Sequence, residues 1–255
     1  MPSTTNPTAR FSDRFENYVR YRPGYPPEIL DRLRQECRLT PEHAIADIGF
    51  GTGLFTRLLL ENGNPVTGVE PNEAMRLEGE RILSAHPRFR SVAGTAEATT
   101  LPDHGVDFVT AAQAAHWFKR EEARREFVRI LKPGGWVVLL WNERVTDSTP
   151  FLIAYEKLLM EFGTDYNEVR HERTTDTIQE FFTPSPFSAH VFPMKQIFDY
   201  AGLEGRLLSS SYVPAPAHPN HQPMLAALRR LYDEHSVSGK VTVDYNTRVY
   251  CSQLR

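Results

Sequence analysis

An apolar run at residues 44–48 breaks into Gly49-Phe50-Gly51-Thr52-Gly53 and resumes at once in the helix-like stretch 54–62. Glycines at alternate positions let the backbone turn sharply out of a strand and approach a neighbour or ligand with no Cβ in the way. Strand, glycine turn and helix in that order open a βαβ unit, and open sheets built from such units take ligands at the carboxyl ends of their strands. The chain keeps this rhythm. Residues 66–70 read as a second strand and Asn72 as the N-cap of the helix that follows. Residues 89–93 and 106–111 read as third and fourth strands, 121–131 as a helix ended by Gly134-Gly135, and 136–141 as a fifth strand. Short apolar strands alternating with helices predict a parallel sheet covered on both faces.

The rhythm stops after Asn142. Residues 143–192 are aromatic and polar without strand alternation and are read as a helical insertion on the substrate side, with a helix over 151–162. Regular structure is expected again as a helix at 194–201, a strand at 207–213, a helix at 224–234 and a last strand at 240–251. That strand alternates Val241, Val243 and Tyr245 with polar residues, which predicts an exposed, antiparallel position. At the other end, residues 1–10 form a tail rich in Pro, Ser and Thr. Phe11, Phe15, Tyr18 and Val19 fall on one helical face, and Tyr21-Arg22-Pro23-Gly24-Tyr25-Pro26-Pro27 forms a shaped loop before a helix at 27–36. Residues 1–36 are thus read as tail and lid of one doubly wound α/β domain spanning 1–255.

Composition narrows the class. With 40% hydrophobic residues and 24% charged residues the chain can bury a sizeable core. A formal net charge of -3 argues against a protein that grips a phosphate backbone, so no nucleic-acid partner is expected. No apolar run approaches the roughly 20 residues of a bilayer span. The two cysteines, Cys37 and Cys251, have no metal-ligand spacing and read as free thiols. A cytoplasmic protein, monomer or homodimer, is the expectation. His218 and His221 flank a Pro-Asn turn with no carboxylate or cysteine nearby and read as loop residues, and no metal is expected.

The glycines at 49, 51 and 53 are followed by Leu54 where a dinucleotide fingerprint needs its third glycine, so that spacing fails by one residue. Glu70 closes the second strand, 17 residues after Gly53. A carboxylate there can accept two hydrogen bonds from a ribose diol. His116-Trp117-Phe118 lies just past the fourth strand. His116 reads either as a base for a hydroxyl or carbon acid or as part of a packing cluster, and the Trp117 and Phe118 rings can wall a pocket and favour a cation.

At these residues the chain resembles the class I S-adenosylmethionine-dependent methyltransferases, closest to the small-molecule branch with quinone-ring and trans-aconitate methyltransferases. Asp47, two residues before the first glycine, fits that family's loop. Further matches in the family's order are Tyr21-Arg22-Pro23, Glu70, Gly94-Thr95-Ala96-Glu97, Asp107-Phe108-Val109, Ala115-His116-Trp117-Phe118 and Leu131-Lys132-Pro133-Gly134-Gly135. The resemblance implies a Rossmann-like sheet of seven strands, mostly parallel with the last antiparallel, and S-adenosyl-L-methionine as cofactor. It implies that Asp47, Gly49, Gly51 and Gly53 face the methionine end, that Glu70 holds the ribose, and that Ala96 and Glu97 contact adenine. It places Gln113 beside the sulfonium, His116 and Trp117 at the reacting end, and Tyr18 and Arg22 on a lid at the methionine carboxylate. Glu97 as a surface acid and ordinary packing of the lid remain open. The implied activity is methyl transfer to a small-molecule acceptor. A non-catalytic S-adenosylmethionine-binding regulator and a nicotinamide-dependent oxidoreductase are the rivals. The glycine spacing and the missing Tyr-x-x-x-Lys weigh against the second.

Overall fold

A computed structural model of the chain describes residues 20–166 and 174–254. Helix α1 (Glu28–Cys37) leads to β1 (Ile45–Ile48), α2 (Leu54–Glu61), β2 (Val66–Val69), α3 (Glu73–Leu83), β3 (Phe89–Val92) and β4 (Val106–Ala112). A 3-10 turn (Ala115–Trp117), α4 (Arg120–Ile130) and β5 (Leu131–Arg144) follow. The second half adds α5 (Pro150–Phe162), α6 (Thr174–Phe182), β6 (Ser188–Phe198), α7 (Tyr200–Leu208), α8 (His221–His235) and β7 (Val241–Ser252).

The strands form one sheet in the order β3-β2-β1-β4-β5-β7-β6. β1 pairs in parallel with β2 and β4, and β4 with β5, whereas β7 runs antiparallel to both β5 and β6. The expected seven-stranded sheet with an antiparallel last strand is the one observed. Strand order reverses between β1 and β4, which opens a crevice at their carboxyl ends. Because successive side chains point to opposite faces, Ala46 and Ile48 pack towards Phe127 and Ile130 of α4. Ile45 instead meets Leu33 of α1 and Leu59 of α2 on the other face. All four residues of β1 are buried, Asp47 among them, which is why its sequence shows no polar–apolar alternation. Cys37 and Cys251, remote in sequence, lie in the same buried cluster as free thiols.

A separate core sits over the carboxyl end of β5 and the amino end of the antiparallel β7. It joins Leu152, Leu158 and Leu159 of α5, Leu203 and Leu207 of α7, and Met224 and Leu228 of α8 to Val241 and Val243. Here the sequence reading needs correction. The helix expected at 194–201 is mostly the edge strand β6. Along it His190, Phe192, Met194, Gln196 and Phe198 turn inward while Val191, Pro193, Lys195 and Ile197 are exposed. Pro193 is tolerated because β6 ends the sheet. The strand expected at 207–213 is instead the end of α7 and a turn. α7 starts where Asp199 Oδ1 accepts the Gly202 N–H at 2.8 Å, and the leucines that suggested a strand are its core face. The connection between β5 and β6 therefore spans residues 145–187, shorter than the insertion expected at 143–192. The helical face of Phe11, Phe15, Tyr18 and Val19 lies outside the described residues.

Candidate functional site

Gly49, Gly51 and Gly53 all adopt left-handed backbone, with φ of 68°, 57° and 85°. A Cβ on Gly49 would stand 2.7 Å from the Ala114 Cβ, and one on Gly53 would stand 2.6 Å from Leu83 Cδ1. The loop therefore needs glycine at both places, for conformation and for space. It is pinned to the second strand where Gly49 N–H donates to the Val69 carbonyl at 2.8 Å.

Two buried acids flank the loop and differ in purpose. Glu70 lies at the tip of β2. Its Oε2 accepts the Gly51 N–H at 3.0 Å and its Oε1 the Asn72 N–H at 2.9 Å. Each oxygen is thus held by one amide and keeps acceptor capacity for a second donor. Burial pushes the Glu70 pKa up, and the amides of Asn72 and Gly51 pull against it. Asp47 was expected at the ligand and is not on the cavity wall. Only 1% exposed, it accepts the Thr56 hydroxyl at 2.6 Å and the Thr110 hydroxyl at 2.7 Å, tying β1 to α2 and β4. Burial pushes its carboxyl up to about 6, against those two hydrogen bonds and with the help of the nearby Glu70 charge. Gly53 is likewise off the wall, as the residue that starts α2.

The crevice is a cavity of about 310 Å³. Gly49, Gly51 and Glu70 line one side, Gly94 to Glu97 the far end, and Ala112 to Ala114 with Trp117 and Phe118 the remaining wall. Among the described residues its charged lining residues, Glu70 and Glu97, are both acids. Glu97 is held in place where its Oε1 accepts the Lys119 N–H at 2.8 Å. Gln113 has φ of 59°, a conformation that costs a non-glycine residue about 1–2 kcal/mol. Its amide N–H donates to the Leu140 carbonyl at 2.9 Å, and its side chain donates to the Asn142 carbonyl at 3.1 Å. Those bonds hold the strained residue at the boundary between the cavity and β5. His116 does not reach the cavity: it is exposed on the 3-10 turn, its ring 4.7 Å from that of Trp117. The turn sends the indole towards the cavity and the imidazole outward.

With this geometry in view, comparison with known proteins is direct. The family described as "Methyltransferase domain" matches residues 46–139. That match runs from β1 into β5, the strands that carry the crevice. An uncharacterized methyltransferase of Mycobacterium tuberculosis is 39% identical over 127 residues, covering 50% of this chain and 49% of that protein. The chain spans about half the length of the curated relatives it matches most strongly. Among solved structures, a chain of Anaeromyxobacter dehalogenans provisionally assigned as a type II methyltransferase superposes with a TM-score of 0.68 at 23% identity, over 91% of this chain and 98% of that one. A phosphoethanolamine N-methyltransferase of Haemonchus contortus, solved with phosphomonomethylethanolamine and S-adenosylhomocysteine, shares the fold with a TM-score of 0.52 at 15% identity, over 98% of this chain and 57% of that one. Methyltransferase domains of this family use S-adenosylmethionine.

The crevice end of the sheet is roofed by the 20–27 segment and the α5–α7–α8 cap. Asn142 Nδ2 donates to the Gly24 carbonyl at 2.9 Å and Gln196 Nε2 to the Tyr21 carbonyl at 3.3 Å. The Arg22 guanidinium does not line the cavity; it donates to the Ser209 carbonyl at 2.9 Å, beside the cap. Tyr18 lies outside the described residues. Sequence reasoning missed a buried polar cluster under this roof: Arg144, Glu156, Arg206 and the tyrosines 155, 166, 212 and 245. The available signal was Arg144, a cation closing the fifth strand at the ligand-binding end of the sheet. His218 and His221 serve a turn: His218 Nδ1 accepts the Asn220 N–H at 3.1 Å, and His221 packs against the Pro214 carbonyl. Among the described residues no group of three His, Cys, Asp or Glu side chains is placed to hold a metal, and no helix is long and apolar enough to cross a membrane.

Proposed function

We propose that this chain is an S-adenosylmethionine-dependent methyltransferase acting on a small molecule. One observation carries the reading: Glu70 is set at the strand tip with each oxygen fixed by a backbone amide, in a cavity whose charged lining, among the described residues, is acidic. A carboxylate so prepared accepts a vicinal diol with little reorganisation. The glycine loop leaves room for the ligand's amino-acid end, and two acids suit a cationic sulfonium and ammonium better than a pyrophosphate.

The residues divide the work. Glu70 holds the ribose hydroxyls, Ala96 and Glu97 border the base, and Gly49 and Gly51 pass beneath the methionine chain. Gln113, at the boundary with β5, and Trp117 flank the reacting end, the indole offering its face to positive charge. When bound, S-adenosylmethionine supplies an electrophilic methyl whose bond to sulfur breaks, with its electron pair, as the acceptor's lone pair attacks. The chain's share is orientation and exclusion of water by the 20–27 segment and the cap, which suffices for a reaction with a neutral thioether as leaving group. Calorimetry with S-adenosylhomocysteine is the test. Binding by the wild type that is lost or strongly weakened in Glu70→Gln supports the reading; no binding, or identical binding by both, refutes it.

A further inference from the structure

The cluster under the roof has more positive charge than its own acids balance. Arg144 Nη2 contacts the Glu156 carboxylate and donates to the Tyr166 hydroxyl at 2.8 Å, and that hydroxyl donates to Glu156 Oε2 at 2.7 Å. Glu156 is thereby committed to Arg144. Arg206 has no carboxylate among its hydrogen-bond partners: it donates to the Tyr245 hydroxyl at 2.9 Å and to the hydroxyls of Ser209 and Ser210 at 3.3 and 3.1 Å. Arg22 reaches the same place through the Ser209 carbonyl. Of the acids buried among the described residues, Glu70 lines the crevice, Asp47 lies beneath the glycine loop, and only Glu156 lies here.

Two further observations point the same way. Arg144 Nη1 is buried with no hydrogen-bond partner, on a side chain 8% exposed. Leaving a charged donor buried and unmet is expensive, and a structural network would be expected to satisfy it. The Tyr212 hydroxyl reports the field: burial alone would push its pKa up, yet Arg206, Arg144, Ser210 and Arg22 together bring it below that of an ordinary tyrosine.

We infer that this cluster is the acceptor subsite and that it holds the carboxylate end of a small organic acid, with Arg144 and Arg206 as its principal donors. The inference rests on the methyltransferase reading for the word acceptor and names the class of substrate within it. Position supports it. Arg144 follows Asn142 by two residues on β5, about 7 Å along the strand, and the Asn142 carbonyl is bonded to Gln113 at the cavity wall. Arg144 is the cross-strand partner of Tyr245, which binds Arg206, so the two guanidiniums share one small volume. Chemistry selects the ligand. Planar guanidinium forks pair with planar carboxylates, and the Tyr155 ring lies under the Arg144 guanidinium, 5.0 Å from it, with the Tyr166 and Tyr212 rings in contact beside it. The cationic donor and the anionic acceptor thus meet linings of opposite sign.

The test titrates the protein, loaded with S-adenosylhomocysteine, with acetate, benzoate, succinate and citrate, with the matching amides, and with inorganic phosphate, following heat and melting temperature. At least one carboxylate is expected to bind saturably, its amide to bind at least tenfold more weakly, and Arg144→Gln to weaken the carboxylate tenfold or more with S-adenosylhomocysteine affinity unchanged. Equal binding of acid and amide, no binding of any carboxylate, or preference for phosphate over all of them overturns the assignment. If Arg144→Gln does not fold, the acid-against-amide comparison on the wild type decides alone. Failure of the wild type to bind S-adenosylhomocysteine would refute the methyltransferase reading instead, and the carboxylate titration is then read on the unloaded protein.

Discussion

On the β1–β4 side of the crevice the charged lining among the described residues consists of Glu70 and Glu97, and the wall is shaped by backbone: the left-handed glycines 49 and 51 and two amides aimed at one carboxylate. On the β5–β7 side the buried charges among the described residues are guanidiniums, with Glu156 alone against them, and the contacts are made by side chains gathered from several elements. The first arrangement is local in sequence and therefore rigid and compact to encode. The second is assembled from β5, α5, α7 and β7, and shape and charge there can change without disturbing the sheet. A domain that keeps one cofactor while its acceptor varies is well served by that division.

Four changes break or sharpen the contrast. Leu203→Ala, in the core of the cap, is expected to cost about 4 kcal/mol of stability, seen by urea unfolding, with S-adenosylhomocysteine affinity of the folded protein unchanged. A parallel loss of affinity would show that the two sides are not separable. Next comes Asp47, whose carboxyl stands at about 6 in the folded protein against 3.8 in the unfolded chain. The raised value means that its contribution is fully present below pH 3.8 and is lost as pH rises through 6, a swing of about 3 kcal/mol. Wild type should therefore gain stability relative to Asp47→Asn as pH is lowered from about 7 to about 4.5. A pH-independent difference between the two unfolding curves would contradict the role of Asp47 as a buried brace. Glu70→Gln should weaken S-adenosylhomocysteine about 50-fold, near 2.3 kcal/mol, in calorimetry, while the melting temperature moves little. His116→Ala, outside the cavity, should change that affinity less than about twofold, about 0.4 kcal/mol; a larger loss would return the imidazole to the site.

The cofactor side was legible because its determinants are short-range. A glycine that needs positive φ, an acid at a strand tip and an N-cap such as Asn72, whose side chain accepts the Met75 N–H at 3.2 Å, all leave marks within a few residues. Even there, sequence spacing could not tell a ligand contact from a brace. Asp47 and Glu70 both sit at strand ends beside glycines, and only the hydroxyls of Thr56 and Thr110, brought from α2 and β4, turn Asp47 inward. His116 and Trp117 are adjacent in sequence, and one turn of backbone sends them to opposite destinations. The second half was read less well for the same physical reason. The alternation in β6 is interrupted by Pro193 and mixes exposed Val191 and Ile197 with half-buried His190 and Gln196, so hydrophobicity alone does not report its period.

The sequence by itself determined the doubly wound sheet, the glycine loop and the acid at the tip of the second strand, because periodicity and backbone conformation are properties of neighbouring residues. Tertiary structure alone decided which acids and aromatic residues reach the cavity, and it alone gathered Arg22, Arg144, Arg206 and their tyrosines into one buried cluster. Long-range burial sets those outcomes: a charge is informative only when the groups around it, and the water excluded from it, are known.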